Sequence, residues 1–280
     1  MLQKQGAEFM QAGHKSPRVI ALSNQKGGVG KTTTAMNLAT ALAACGNQVL
    51  VVDFDPQGNT TSGFGIDKTG VTQNTYTLLM EDAPLASVTH ETSVPQLDVI
   101  PSTIHLSGAE VELVSVMARE KRLQEALARS EKPYDYVFID CPPSLGLLTV
   151  NAFVAATDII IPLQCEFFAM EGLSQLFNTI DLVKKNLNPA LSIFGVLLTM
   201  HDKRNNLSIQ VEQNVREYLG DKVFDTVIPR NVRLSEAPSH GVPGLIYDVK
   251  CPGSQAYIKL AAEVMKRFNK QNQAPTKEAA

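Results

Sequence analysis

The chain has 280 residues, 44% hydrophobic and 19% charged, enough for one large α/β domain or two small ones. Its formal charge of −3 is uneven: residues 1–183 hold 11 Lys+Arg against 19 Asp+Glu, whereas residues 184–270 hold 13 against 8. Cys45, Cys141, Cys165 and Cys251 lie far apart with no CxxC pair, which speaks against a disulfide framework or a zinc site and fits a reduced, cytosolic chain. Residues Met1 to Pro17 lack the apolar core of a signal peptide, and no run approaches the roughly 18 apolar residues of a membrane span, so a soluble protein is expected. The basic C-terminal part suggests a surface facing a polyanion, although an excess this small also arises by chance.

Residues 1–17 are polar and mixed, and read as a flexible arm closed by Ser16-Pro17. An apolar strand follows from about Arg18 to Ser23, then a helix from Lys31 to Ala44. Gly46-Asn47 turns the chain into Val49-Leu50-Val51-Val52, and four apolar residues in a row predict burial on both faces, as in a parallel sheet. Gly58 to Asn74 reads as a loop, either static or able to move with an occupied site nearby. Next come a strand at Leu97–Pro101, a long helix from about Leu106 to Arg129, and a buried strand Tyr136–Asp140. Strands at Asp158–Pro162, Ile193–Thr199 and Val223–Ile228 alternate with helices near Glu171–Leu187, Leu207–Leu219 and Ser254–Phe268. This alternation predicts an α/β fold: a single doubly wound, mostly parallel sheet with helices on both faces, in one domain over 18–270 with a disordered tail over 271–280.

Chemistry in such a fold gathers at the carboxyl ends of the strands. The first strand ends in Gln25-Lys26-Gly27-Gly28-Val29-Gly30-Lys31-Thr32-Thr33. Strand, glycine-rich turn and helix N-terminus in that order make a phosphate cradle of backbone N–H groups, with Lys31 reaching the outer phosphates and the Thr32 hydroxyl able to ligate magnesium. The strict P-loop pattern fails at Gln25, where it requires glycine. A second lysine, Lys26, stands at the mouth of the loop instead. It is either an ordinary solvated lysine or a cation that reaches a phosphate held by another subunit.

Asp140 ends a strand of apolar residues and fits the acid that holds Mg2+ in nucleotide sites, directly or through water. Asp53 and Asp55 end another strand, and period-two alternation points both side chains the same way. One of them could orient an attacking water. Asp53 could equally cap the following turn.

Four ordered motifs then become specific. They are Lys26-Gly-Gly-Val-Gly-Lys-Thr-Thr33, Asp53-x-Asp55-Pro-Gln-Gly58, Asp140-Cys-Pro-Pro-Ser144 and Pro229-Arg-Asn-Val-Arg-Leu-Ser-Glu-Ala-Pro238. Together they resemble the ParA/Soj partition ATPases of the deviant P-loop group that also contains MinD, over about Arg18 to Phe268. The resemblance implies that ATP and Mg2+ are bound and that ATP is hydrolysed slowly without a partner. It implies that Lys26 is the signature lysine crossing to a partner's nucleotide, that Lys31 is the phosphate-loop lysine, that Thr32 ligates magnesium and that Thr33 meets the α-phosphate. Asp55 would position the hydrolytic water, Asp140 would support magnesium, and Pro229 and Asn231 would contact adenine. An ATP-sandwiched homodimer would bind double-stranded DNA without reading sequence, and a ParB-type centromere-binding protein would stimulate hydrolysis and release. The protein would then sit in the cytoplasm, associated with the nucleoid.

Non-specific DNA binding needs cations for phosphates and no base-reading groups. Lys203, Arg204, Arg230 and Arg233 are the candidates, and Arg204 and Arg233 match the family's DNA-contacting positions. Ordinary solvated charges, or an Arg233–Glu236 pair, are the plain alternative. A MinD-like membrane switch is the main rival, but its amphipathic C-terminal helix has no counterpart in the polar end Asn269–Ala280. An iron–sulfur reductase would need a second cysteine placed to pair with Cys141. A metabolic synthetase has no use for the Arg230–Pro238 loop.

Overall fold

The computed structural model describes residues 16–166 and 171–273. Most of the expected arm (1–15) and most of the expected tail (274–280) therefore lie outside the described residues. Strands β1 (Arg18–Leu22), β2 (Val49–Asp53), β3 (His90–Glu91), β4 (Leu97–Ile100), β5 (Tyr136–Asp140), β6 (Asp158–Gln164) and β7 (Ser192–Thr199) form one sheet in the order β3-β4-β2-β5-β1-β6-β7. Every pairing is parallel except β3 with β4, an antiparallel edge that the sequence did not announce. This is the doubly wound sheet expected from the alternation of elements.

The longer helices are α1 (Lys31–Ala44), α2 (Thr75–Met80), α3 (Leu106–Glu112), α4 (Arg122–Ala128), α5 (Leu147–Ala155), α6 (Glu171–Asn186), α7 (Asn206–Leu219) and α8 (Pro252–Gln273). The strands divide their side chains between two cores. Val49 and Val51 join Ile20, Leu22 and Phe138 beneath α1 and α8, while Leu50 and Val52 join Val19, Ala21 and Ile139 beneath α2 to α7. Continuous apolar runs are thus explained by burial on both faces.

Four expectations need correction. Val223–Ile228 is not a strand: it meets β7 through an isolated bridge between Val196 and Val223 and through the Phe224 and Ile228 N–H groups, which donate to the Val196 and Leu198 carbonyls. The amides of Asp225 and Thr226 donate instead to the Glu263 carboxylate, both at 2.9 Å, so a side chain on α8 takes the place of a ladder. The long helix over Leu106–Arg129 breaks into α3, two 3-10 turns and α4, because Ala118 adopts a left-handed conformation at φ 54°. The Gly58–Asn74 loop contains a short helix, Asn59–Gly63, and a 3-10 turn, Lys68–Gly70. Finally, α8 runs on to Gln273, beyond the expected end at Phe268, and Arg18 anchors that extension by a 2.7 Å hydrogen bond to Asn272.

Candidate functional site

Leu22 of β1 and Asp53 of β2 both lie opposite Asp140 in the sheet register, so three strand ends meet at one level. The phosphate loop leaves the first of them. Gly28 and Gly30 hold φ of 73° and 90°, which side chains rarely tolerate, and Gly30 caps α1 without any side-chain hydrogen bond. The first-turn N–H groups of α1 are therefore left for an anion.

The two lysines differ in address. Lys31 is buried, 7% exposed, and its Nζ donates to the carbonyls of Asn24 at 3.0 Å and Lys26 at 3.3 Å, inside the loop. Burial lowers its pKa, opposed by the Asp140 carboxylate. Lys26 lies outside. Its Nζ pairs with Glu166 at 2.9 Å, and both side chains are nearly half exposed. The loop itself is fastened by residues that sequence reasoning missed: Asn24 donates to the Pro162 carbonyl at 2.7 Å and accepts from the Lys26 N–H at 3.0 Å. Thr199, at the end of β7, donates to the Val29 carbonyl at 2.8 Å.

Asp140 is buried, with Thr32 and Thr60 both donating to its Oδ2 at 2.7 Å. Its Oδ1 is buried without a hydrogen-bond partner, an orphan that suits a cation or its bound water beside Thr32. Burial raises its pKa to about 6, against the pull of the threonines and of Lys31. Among the described residues no group of three or more His, Cys, Asp or Glu is placed to hold a metal ion. Cys141 is fully buried and its thiol is pushed up by desolvation, in keeping with a packing residue.

Asp53 and Asp55 part company. Asp53 is fully buried, and its Oδ2 accepts from both the Thr61 N–H at 2.8 Å and the Thr61 hydroxyl at 2.6 Å. Its Oδ1 accepts from the Asp55 N–H at 3.3 Å. It fastens the turn that carries Asp55, the plainer of the two roles open to it. Asp55 is half-buried, and its carboxylate accepts only the Gln57 N–H, at 2.9 Å, among the described residues.

Burial and the neighbouring Asp140 charge raise the Asp53 pKa to about 7. A carboxyl that holds its proton more tightly when folded stabilises the fold below about pH 4 relative to above 7, so its contribution falls as pH rises through that window. We expect Asp53→Asn to flatten this slope. Urea unfolding of the nucleotide-free protein should show the variant gaining roughly 2 kcal/mol on wild type between pH 5 and pH 8. Parallel pH curves would mean that Asp53 carries no such proton.

Beside Gly30 and Thr33, a cleft of about 80 Å³ is lined by Thr199, Met200, Pro229, Asn231 and Tyr257. The Asn231 side chain also caps the short helix Val232–Glu236 by accepting from the Leu234 N–H. A larger groove of about 830 Å³, lined by Phe194, Arg216, Lys222 and Lys270, begins near the opposite ends of the strands and is remote from this chemistry. Its Arg216 and Arg267 are occupied by the carbonyls of Phe224 and Val223.

The four cations considered for DNA are all exposed. Arg204 is 90% exposed at its side chain and bonds Asp202 through Nε and a terminal nitrogen, each at 3.1 Å. Arg233 pairs with Glu236 at 3.0 Å, as the plain alternative had it.

A glycine-rich turn at a helix N-terminus, one lysine inside it, one lysine at its mouth and an acid at the neighbouring strand end define a P-loop nucleotide-binding protein of the deviant type. Comparison with known proteins agrees. Residues 17–193 match the AAA domain family model. The chain is 59% identical over 252 residues to the chromosome partitioning protein ParA of Caulobacter vibrioides, covering 89% of this chain and 94% of that one. It is 58% identical over 247 residues to the sporulation initiation inhibitor protein Soj of Bacillus subtilis, covering 88% and 98%. Among solved structures it superposes with a TM-score of 0.81 and 36% identity on the cobyrinic acid a,c-diamide synthase of Mycobacterium smegmatis with bound ADP and magnesium, covering 91% and 96%. The chain belongs to the ParA/Soj family of partitioning ATPases. The identity to partition proteins far exceeds that to the synthase, so partition is the function class.

Proposed function

We propose that magnesium–ATP bound in this loop joins two copies face to face, each lending Lys26 to the other's nucleotide. The ATP-bound homodimer then holds double-stranded DNA without reading its sequence, until a ParB-type partner stimulates hydrolysis. The loop amides from Gly27 to Thr33 and the Lys31 ammonium bind the phosphates, with Thr33 toward the α-phosphate; Pro229 and Asn231 contact adenine. Thr32 and Asp140 hold magnesium, which when bound supplies positive charge against the phosphate oxygens. Asp55 orients the attacking water, and Lys203, Arg204, Arg230 and Arg233 face DNA phosphates. Nucleotides and magnesium in related structures, including the Mg-ADP complex of Pyrococcus horikoshii MinD, support the ligand.

The observation that carries the dimer is the outward address of Lys26. Its ion pair with Glu166 is exposed, and such pairs contribute about 0–1 kcal/mol, so it is released at little cost when a partner phosphate arrives. Sedimentation with DNA in ATP, ADP and no nucleotide tests the whole reading, and retention that ignores nucleotide would overturn it. Arg204→Glu should retain ATP binding but lose about tenfold in DNA retention, with a salt dependence shallower by about two phosphate contacts per dimer. Retention equal to wild type across a salt titration would remove Arg204 from the interface.

A further inference from the structure

The base cleft hangs on one buried side chain outside it. After β7 ends at Thr199, Met200 adopts a left-handed backbone at φ 51°, a conformation that a non-glycine residue keeps only when its surroundings enforce it. The next residue supplies the enforcement. The His201 N–H donates to the Ile228 carbonyl at 3.1 Å, and its carbonyl accepts from the Arg230 N–H at 3.0 Å. Pro229 thus lies between two hydrogen bonds that both belong to His201.

The His201 side chain is 5% exposed and faces α7, where Nε2 lies 2.9 Å from the Glu212 Oε2. That contact lacks hydrogen-bond geometry and leaves Nε2 buried without a partner, so close packing holds the pair, with no linear bond. Glu212 is fixed in turn by Arg216, whose Nε donates to its Oε1 at 2.9 Å and whose terminal nitrogen reaches the Phe224 carbonyl at 3.1 Å. The chain of contacts runs from α7 through Glu212 to His201, and from the His201 backbone to the wall of the cleft.

We infer that His201, braced by Glu212, is a positioning residue that sets the base-contacting segment Ile228–Asn231 against the phosphate loop. It touches no ligand. Its effect is on the base half of a nucleotide and not on the phosphate half, which Lys31 and the α1 N-terminus hold independently. The inference rests on reading the cleft as the adenine site.

Binding of ADP and of inorganic pyrophosphate, each with magnesium, separates the two halves by calorimetry without involving dimers or DNA. His201→Ala should weaken ADP roughly tenfold, about 1.4 kcal/mol, and leave pyrophosphate within about twofold. Glu212→Ala should give the same ratio, and the double variant should be no worse than either single one, because the two residues act as one brace. His201→Gln, which keeps a donor near Glu212, should recover most of the ADP affinity. Should His201→Ala fail to fold, the near-isosteric Glu212→Gln reads the same ratio. Equal losses for both ligands, no loss for either, or additive single effects would overturn the inference. A wild-type protein that binds ADP no more tightly than pyrophosphate would instead sink the adenine site itself, and the inference with it.

Discussion

Lys26→Ala is expected to leave a protein that binds ATP within a few-fold of wild type yet stays monomeric and turns over at least a thousandfold more slowly. Binding should survive because the groups that face a phosphate in the same chain are untouched. Lys31 remains buried in the loop, Thr32 remains on Asp140, and Gly30 still leaves the α1 N-terminus uncapped. Within its own chain the variant loses one half-exposed ion pair to Glu166, worth at most about 1 kcal/mol. Turnover should collapse because phosphoryl transfer depends on positioned charge, and a cation supplied from a second subunit is worth roughly 10³ to 10⁵ in rate.

Light scattering with magnesium and a non-hydrolysable analogue reads the oligomer, and phosphate release reads the turnover. Mixing adds a sharper arm. A Lys26→Ala chain still holds nucleotide, and a Lys31→Ala chain still offers Lys26, so the mixture should regain part of the activity that neither has alone. A dimer of unchanged strength in Lys26→Ala would end the inter-subunit role.

What the sequence made legible follows physical range. The limits of α1 agreed with expectation to the residue, because a glycine turn starts it and Gly46 ends its apolar run. β1, β2 and β5 were placed within a residue, since doubly buried strands leave continuous apolar runs. The failures are long-range or local exceptions. Val223–Ile228 has strand composition, but between the Phe224 and Ile228 bonds to β7 the distant Glu263 takes the amides of Asp225 and Thr226. α5 was missed because Leu147–Ala155 is apolar almost throughout and shows no periodicity to separate helix from strand.

In the site, the motif residues announced themselves, whereas their fasteners did not. Asn24, Thr60 and Thr61 act on partners that the fold brings to them, Pro162, Asp140 and Asp53, and none sits at a diagnostic spacing. A polar residue two positions beyond a buried strand, as Asn24 is, was the one signal available. The split between Asp53 and Asp55 was likewise invisible: alternation aims both the same way, and only the Thr61 contacts reveal that the first is occupied.

Asp55→Ala should produce the opposite arrest from Lys26→Ala. Dimers form with ATP, turnover falls at least a hundredfold, and the protein accumulates on DNA whether or not a partner is present. The turn that carries Asp55 is held from below by Asp53 through the Asp55 backbone N–H, a bond that the substitution leaves in place. What is lost is a half-buried carboxylate at the end of β2, one strand away from Asp140. A carboxylate that orients or deprotonates a water contributes roughly 10² to 10⁴ in rate, whereas a carboxylate that only caps Gln57 contributes about 1 kcal/mol of local stability and nothing to chemistry. Asp55→Asn separates the two, since its amide oxygen can still accept the Gln57 N–H but carries no charge. If the charge matters, Asp55→Asn stalls like Asp55→Ala in single-turnover phosphate release, and both pellet with DNA. If capping is the whole role, Asp55→Asn turns over normally and Asp55→Ala merely melts a few degrees lower.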